Sequence, residues 1–413
     1  MSEVAQAPQL RFSEFSDEWE AGYLNEFIDS LDAGVSVNST DRQAESNEKC
    51  ILKTSCVSSG VFKLKENKVV LDDDEIQRLK EPLQSNTIII SRMNTPALVG
   101  ANAIVTYSMS NVFLPDRLWA AKINKNYSGK WLGILMSSTK FRAALSARAT
   151  GTSASMKNIT KGDVLSLKIT YPAKPEQQKI AAFLTAVDNK IEQLSKKQEL
   201  LGEYKKGLMQ KIFSQAIRFK ADDGSEFPDW EEKKLGDLIA EISDGGTPPT
   251  SNKGNFGGGI NWVVIDDIRD EIRITKETLT ETGLSNSSSK LWKPETIILS
   301  TGATIGRVGI AKIYTTTKQG VCGIVVNQFT SNLFLKYWFI FNINLLKRFS
   351  QGSSIKEVRP PTLIKFDIST PSLPEQTKIA NFLSSIDSKI EQVGKQLDES
   401  KQFKKALLQQ MFV

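Results

Sequence analysis

The stretch PAKPEQQKIAAFLTAVDNKIEQLSKKQELLGEYKKGLMQKIF fills residues 172–213, and PSLPEQTKIANFLSSIDSKIEQVGKQLDESKQFKKALLQQMF fills residues 371–412. The two align without a gap at an offset of 199, with 20 identities in 42 positions. A match this dense marks an internal repeat. It includes Pro175-Glu176-Gln177 against Pro374-Glu375-Gln376, and Asp188 against Asp387.

Each copy carries a heptad seam. In the first, Ile180, Leu184, Val187, Ile191, Leu194, Gln198, Leu201, Lys205, Leu208 and Ile212 follow at steps of four and three. In the second the register gives Ile379, Leu383, Ile386, Ile390, Val393, Leu397, Ser400, Lys404, Leu407 and Met411. A period of 3.5 puts these residues in a narrow stripe on one side of a helix, as in a coiled coil. Pro175 and Pro374 suit a first helical turn, and the Glu after each favours the positive end of the helix dipole. About 38 helical residues would make a rod of about 57 Å. The seam outlasts what a single core helix needs, so the two are expected to pack on each other. Antiparallel pairing would bring Lys205 to Asp387 and Lys404 to Asp188, polar inserts of the kind that fix register. Flanking aromatics Phe183, Phe213, Phe382 and Phe412 are candidates for partner surfaces.

The repeat unit is larger than the helix. Arg11-Phe12, Trp19-Glu20 and the run from Leu24 to Ile28 return as Arg218-Phe219, Trp230-Glu231 and the run from Leu235 to Ile239. Ile88-Ile89-Ile90-Ser91-Arg92, continuing to Val99-Gly100, corresponds to Ile297-Ile298-Leu299-Ser300-Thr301, continuing to Val308-Gly309. Both runs read as buried strands followed by a turn. A last strand is expected at 164–169 and at 363–368. The division that follows is a first head at 1–170, with 1–9 disordered, a first helix at 171–215, a second head at 216–369 and a second helix at 370–413. The fold class is α+β: two globular heads alternating with two long helices that pair as an antiparallel coiled coil, a pseudo-two-fold repeat.

The chain of 413 residues, 40% hydrophobic and 24% charged, has the composition of an ordinary soluble protein with two or three domains. Its net charge of +6 matters only if the cations cluster. Three cysteines, Cys50, Cys56 and Cys322, and no histidine fit neither a disulfide scaffold nor a zinc site, and they suggest a cytoplasmic protein. No signal peptide opens the chain, and the apolar run at 333–346 is too short and too polar to span a bilayer.

Two divergent heads, each followed by a helix opening P-E-Q-x-K-I-A-x-F-L, resemble the specificity subunit of type I restriction-modification enzymes. Supporting pieces are Leu235-Gly236-Asp237, Gly245-Gly246-Thr247-Pro248 and Ser300-Thr301-Gly302-Ala303-Thr304-Ile305-Gly306-Arg307. Gly352-Ser353-Ser354 ahead of the second helix completes the set. The resemblance covers the chain from about Arg11 onward. The first head departs from it, with Asp32-Ala33-Gly34 at the Gly-Gly-Thr-Pro position and Met93-Asn94-Thr95-Pro96 at that of Gly302-Ala303-Thr304.

The resemblance implies a non-catalytic subunit that selects a two-part DNA site on behalf of others. Each head would read one half, and the rods would space the heads. The implied partners are double-stranded DNA, two methyltransferase subunits and the motor-nuclease subunits, with no membrane and no cofactor. The residues agree about chemistry. No Asn/Asp-Pro-Pro-aromatic element and no G-x-G-x-x-G or G-x-x-x-x-G-K-[ST] loop is present. Asp229 with Glu231 and Lys233 sit on one short segment, whereas metal-assisted cleavage needs carboxylates converging from separate elements. A self-contained restriction or methylation enzyme and a coiled-coil scaffold without DNA binding are the alternatives.

DNA binding calls for cations, hydroxyls and backbone N–H groups at phosphates, and for Arg, Asn, Gln or Lys at base edges. Motif position selects Arg92, Asn94, Arg148, Thr150, Gly151, Thr152, Ser153 and Lys157 in the first head. In the second it selects Gly246, Thr247, Ser251, Asn252, Lys253, Thr301, Gly302, Thr304, Arg307, Gly352, Ser353, Ser354, Lys356 and Arg359.

Overall fold

In a computed structural model of the chain, the residues described are 7–58, 60–151, 156–350 and 357–412. They form two compact units, Met1–Leu194 with Gln396–Val413, and Ser195–Lys395. The division cuts each long helix. Lys174–Phe213 starts in the first unit and ends in the second, and Leu373–Gln410 does the reverse.

In the first unit the central sheet has strand order Ile28–Ala33, Leu118–Ile123, Thr87–Ser91, Asn102–Val105. The run Ile88-Ile89-Ile90 is apolar throughout because both faces of its strand are covered. Ile88 and Ile90 join a core that includes Ile180 and Leu184 of one long helix and Leu407 and Met411 of the other. Ile89 points the opposite way, into a smaller core with Cys50, Leu52 and Val112. That outer core belongs to a second sheet, ordered Asn67–Val69, Cys50–Leu52, Met109–Phe113, Pro82–Leu83.

The second unit repeats the plan. Its central sheet runs Ile239–Asp244, Val321–Val326, Ile297–Ser300, Val308–Ala311, with Glu271–Ile272 added in parallel at the edge. Ile297 and Leu299 face Ile379 and Leu383 of one long helix and Met209 and Ile212 of the other. Ile298 faces Val263 and Trp292 in an outer core. Here the outer sheet has three strands among the described residues, Glu277–Leu279, Phe256–Val263 and Thr316–Thr317. Buried faces of the central sheets therefore match between the units, and the outer sheets do not.

The Pro-Glu-Gln motif fastens each long helix to its head. Glu176, 2% exposed, takes two bonds of 2.8 Å from the Arg11 guanidinium, while Glu375, fully buried, takes bonds of 2.9 and 3.0 Å from Arg218. The neighbouring Gln177 accepts from the backbone N–H of Ser128 at 2.9 Å, and Gln376 accepts from that of Ser331 at the same distance. Ser128 and Ser331 in turn cap the helices Gly129–Ser137 and Asn332–Phe341, which lie against the central sheets. Each Gln amide also donates to its own helix entry, at Pro172 and Pro371. Beside the clamps, Phe12 packs on Phe183 and Phe219 on Phe382.

Within each unit the halves of the two helices run antiparallel. Lys404 Nζ lies 2.6 Å from Asp188 in the first unit, and Lys205 Nζ lies 2.6 Å from Asp387 in the second. Gln198 meets Gly394, and the paired residue numbers have the same sum at all three contacts, so one register serves both units. The pairs differ in setting. Asp387 also accepts from the Tyr337 hydroxyl at 2.7 Å and its pair is largely buried, whereas Lys404 and Asp188 are 31% and 45% exposed.

Three local expectations change. Residues 164–165 and 363 are helical, because Thr160 and Asp163 form a capping box for Lys161–Leu165 and Pro360 opens the turn Pro360–Leu363. The closing strands start later, at Lys168–Tyr171 and Asp367–Thr370, and pair with Glu20–Tyr23 and Glu231–Lys234. Finally, Phe183 and Phe382 pack on the Phe residues beside the clamps, while Phe213 stacks on Phe341 and Phe412 packs against Trp131, so all four serve internal packing.

Replacing Glu375 by Ala removes two charge-assisted bonds from the partly exposed Arg218, which keeps the Phe227 and Pro228 carbonyls, and the acceptor of the Trp230 indole N–H; a loss of about 1–3 kcal/mol is expected in denaturant titration. Lys205→Met, which strands a largely buried Asp387, is expected to cost about 1–3 kcal/mol, against at most about 1 kcal/mol for Lys404→Met. Equal thermal shifts for the two lysine variants would remove the distinction.

Candidate nucleic-acid interface

Past the end of strand Thr87–Ser91 the first head gathers several of the sequence-selected residues. Met93–Asn94 pairs antiparallel with Lys157–Asn158, which sets Asn94 opposite Lys157. Thr150 bridges to Asn158 from the other side, and Lys157 Nζ donates to the Gly151 carbonyl at 2.9 Å. Gly151 has φ +141, a conformation that other residues rarely adopt. Arg92 adjoins this ribbon: its carbonyl accepts from Ile159, and its guanidinium lies 5.8 Å from the Trp119 ring centre. Arg148 is exposed but turned to its own head, bonding the Asp163 carbonyl and the Ser166 hydroxyl. Thr152 and Ser153 lie outside the described residues.

The second head assembles the corresponding place with different side chains. Thr301 and Gly302 both donate their N–H to the Gly320 carbonyl, and Thr301 accepts from Val358. Gly246 is buried between Thr317, to which its N–H donates, and Trp262, whose indole N–H it accepts. A Cβ at Gly246 would lie 2.5 Å from the Ser289 nitrogen, so the glycine is needed for close backbone approach. Arg359 is exposed and near Glu357, and Thr304 is exposed in the turn after Gly302. Arg307 reaches away to Asp266 and the Ile265 carbonyl. Thr247 is half-buried, whereas Ser251, Asn252 and Lys253 form an exposed loop in which Asn252 caps the turn Lys253–Asn255. Gly352, Ser353, Ser354 and Lys356 lie outside the described residues.

Sequence reasoning missed four side chains at these places, namely Trp119, Asn158, Asp244 and Glu357. Burial, together with the neighbouring Glu357 carboxylate, raises the Asp244 carboxyl pKa above its ordinary value. No sequence signal marks them, because the backbone contacts that bring them together form only in the folded heads.

The three cysteines are not activated as thiolates. Burial pushes the Cys50 thiol up to about 11 and the Cys56 thiol to about 12, and Cys322 is raised by the same cause. Among the described residues no group of His, Cys, Asp or Glu is placed to hold a metal ion, and no helix is long and apolar enough to cross a membrane.

The geometry defines a class: a duplicated α+β protein in which matching helices carry two heads with unlike surfaces. The family profile described as "Type I restriction modification DNA specificity domain" matches residues 16–201 and again 228–399. The chain belongs to that family. It is similar to the MjaIX specificity subunit of a type I restriction enzyme of Methanocaldococcus jannaschii, at 36% identity over 191 residues. That alignment covers 45% of this chain and 44% of the relative, so the chain spans about half the length of that protein. The MjaVIII specificity subunit of the same organism matches at 23% identity over 95% of this chain and 91% of its own. Among solved structures, the S subunit of a type I restriction-modification system from M. genitalium superposes with a TM-score of 0.62 at 16% identity, covering 99% of both chains. A chain from a structure on complex assembly and conformational transition of a type I system gives 0.56 at 18% identity, over 95% of this chain and 97% of that one. These structural likenesses concern the fold.

The raised Asp244 carboxyl carries a stability consequence. Its pKa is higher folded than unfolded, so the unfolded chain releases the proton first. The fold therefore loses stability as pH rises from 3.8, the ordinary Asp value, towards the raised value, and levels off above it. Asp244→Asn is expected to melt higher than wild type at about pH 7 and with a smaller gap at about pH 4. A gap independent of pH would contradict the assignment.

Proposed function

We propose that the protein is the non-catalytic DNA-reading subunit of a type I restriction-modification system. Each head reads one half of a two-part asymmetric site, and partner subunits methylate or cut. The observation that carries this reading is the contrast between likeness and unlikeness: the helices and the sheet faces against them match closely, while the outer sheets and the strand-end clusters differ. Selection for two different base sequences on one scaffold produces that pattern.

The helices serve as spacer. A 40-residue helix is about 60 Å long, and successive turns of B-DNA present a groove about every 34 Å. Duplicated helices also support docking of two copies of one partner, the methyltransferase. Tyr204 and Phe403 occupy equivalent positions in the repeat and are 56% and 53% exposed, a paired aromatic surface suited to such docking. The motor-nuclease subunits join that assembly. The work is intracellular, since its substrate is DNA.

The decisive experiment maps methylated positions genome-wide in cells that carry this subunit with its methyltransferase. A two-part motif is expected. Exchanging residues 1–165 for those of a relative with another specificity should change one half of the motif and leave the other and the spacing intact. Change in both halves would overturn independent heads, and absence of any two-part motif would overturn the function.

A further inference from the structure

The backbone makes the two strand-end clusters superposable position by position. In the first head Arg92 donates its N–H to the Arg117 carbonyl and accepts from Ile159, while Trp119 pairs with Ala33. In the second Thr301 donates to the Gly320 carbonyl and accepts from Val358, while Cys322 pairs with Asp244. Arg92 thus corresponds to Thr301, Trp119 to Cys322, Ala33 to Asp244, and Asn158 to Glu357.

The chemistry at this shared place is opposite in sign. The first head holds a half-buried cation braced by an aromatic ring, and among the described residues the buried Arg92 Nε and Asn158 side-chain oxygen have no partner. The second head holds two neighbouring carboxyls, Asp244 and Glu357, and Glu357 also accepts from the exposed Arg359 at 3.3 Å. Thr301 is 1% exposed, and among the described residues its hydroxyl has no partner. Thr301 and Asp244 converge on one residue, Gly320, the first through its N–H and the second through its carboxylate. Buried polar atoms without partners are costly, and they persist where a ligand supplies the missing bond.

Resting on the DNA-reading function above, we propose that this position is the specificity-determining pocket of both heads. Arg92 reads a guanine in one half-site, and Asp244 with Glu357 reads an exocyclic amine, on cytosine or adenine, in the other. Guanidinium offers donors only and fits the O6 and N7 acceptors of guanine. Carboxyl oxygens accept, and they fit the amino group of cytosine or adenine. A carboxylate among phosphates is repelled unless a base donor meets it, so its place in such an interface argues for readout over backbone anchoring.

The test uses the complete subunit with its methyltransferase, mapping methylated sites for Arg92→Gln, Arg92→Lys, Asp244→Asn and Glu357→Gln. Arg92→Gln should lower discrimination at one guanine of one half-site by about tenfold to a hundredfold, leaving the other half unchanged. The carboxamide variants should do the same at one adenine or cytosine of the other half. If Arg92→Gln fails to fold, Arg92→Lys, which keeps the charge and loses the fork, must still blur the same guanine. Motifs unchanged in folded variants overturn the pocket. So does a uniform loss of binding across sequences with a shallower salt dependence, the signature of phosphate contact. A wild-type protein that writes no two-part motif would overturn the DNA-reading function instead, so the two failures are distinguishable.

Discussion

Everything in each half hangs from a partly exposed arginine paired with a buried glutamate at the start of a long helix. The segment leading into a head must reach back to the helix that follows that head, and Arg11 to Glu176 and Arg218 to Glu375 make that closure. A fork-to-carboxylate contact is directional, which fixes the helix in angle as well as position. The next residue, Gln177 or Gln376, spends its amide on two backbone groups and sets the cap of the helix beneath the central sheet. Moving either residue would free a buried charge and unseat a helix start.

Each long helix also works for two cores. Ile180 and Leu184 pack under the first head, and Met209 and Ile212, further along the same helix, pack under the second. The second helix is shared in the reverse order, through Ile379 and Leu383 and then Leu407 and Met411. The lysines in the seam fit this arrangement. One register satisfies Lys404 with Asp188 and Lys205 with Asp387, and a slip would leave four charges without partners in partly apolar surroundings.

The helices, their pairing direction and both lysine contacts were legible in the sequence, because a heptad period and a gapless repeat are local signals that burial cannot hide. The twin isoleucine strands were legible for the same reason. The closing strands were placed too early, since Val164 and Leu363 look strand-like in isolation while a capping box and a helix-starting proline act on them. At the candidate interface, motif position selected Arg92, Asn94 and Lys157, and strand pairing brings them together. It could not find Asp244 or Glu357. They lie more than a hundred residues apart and meet only through sheet pairing, and an acidic residue is not what a search for DNA contacts looks for. Arg148 and Arg307 show the converse, since both look like DNA ligands in sequence and both are tied to their own heads.

Where the two heads are free to differ follows from what holds them. The inner face of each central sheet is matched to a pair of helix segments that occur in both halves, so its packing is held to one pattern. The outer face meets only its own second sheet, and four strands in one head answer to three in the other. Strand ends are freer still. Between Ser91 and Asn158, or Ser300 and Glu357, the backbone contacts stay while the side chains invert from cation and aromatic to carboxyl and thiol. A scaffold that fixes the frame and releases the strand ends can acquire a new preference without refolding, because the bonds that position Arg92 and Thr301 are made by the main chain.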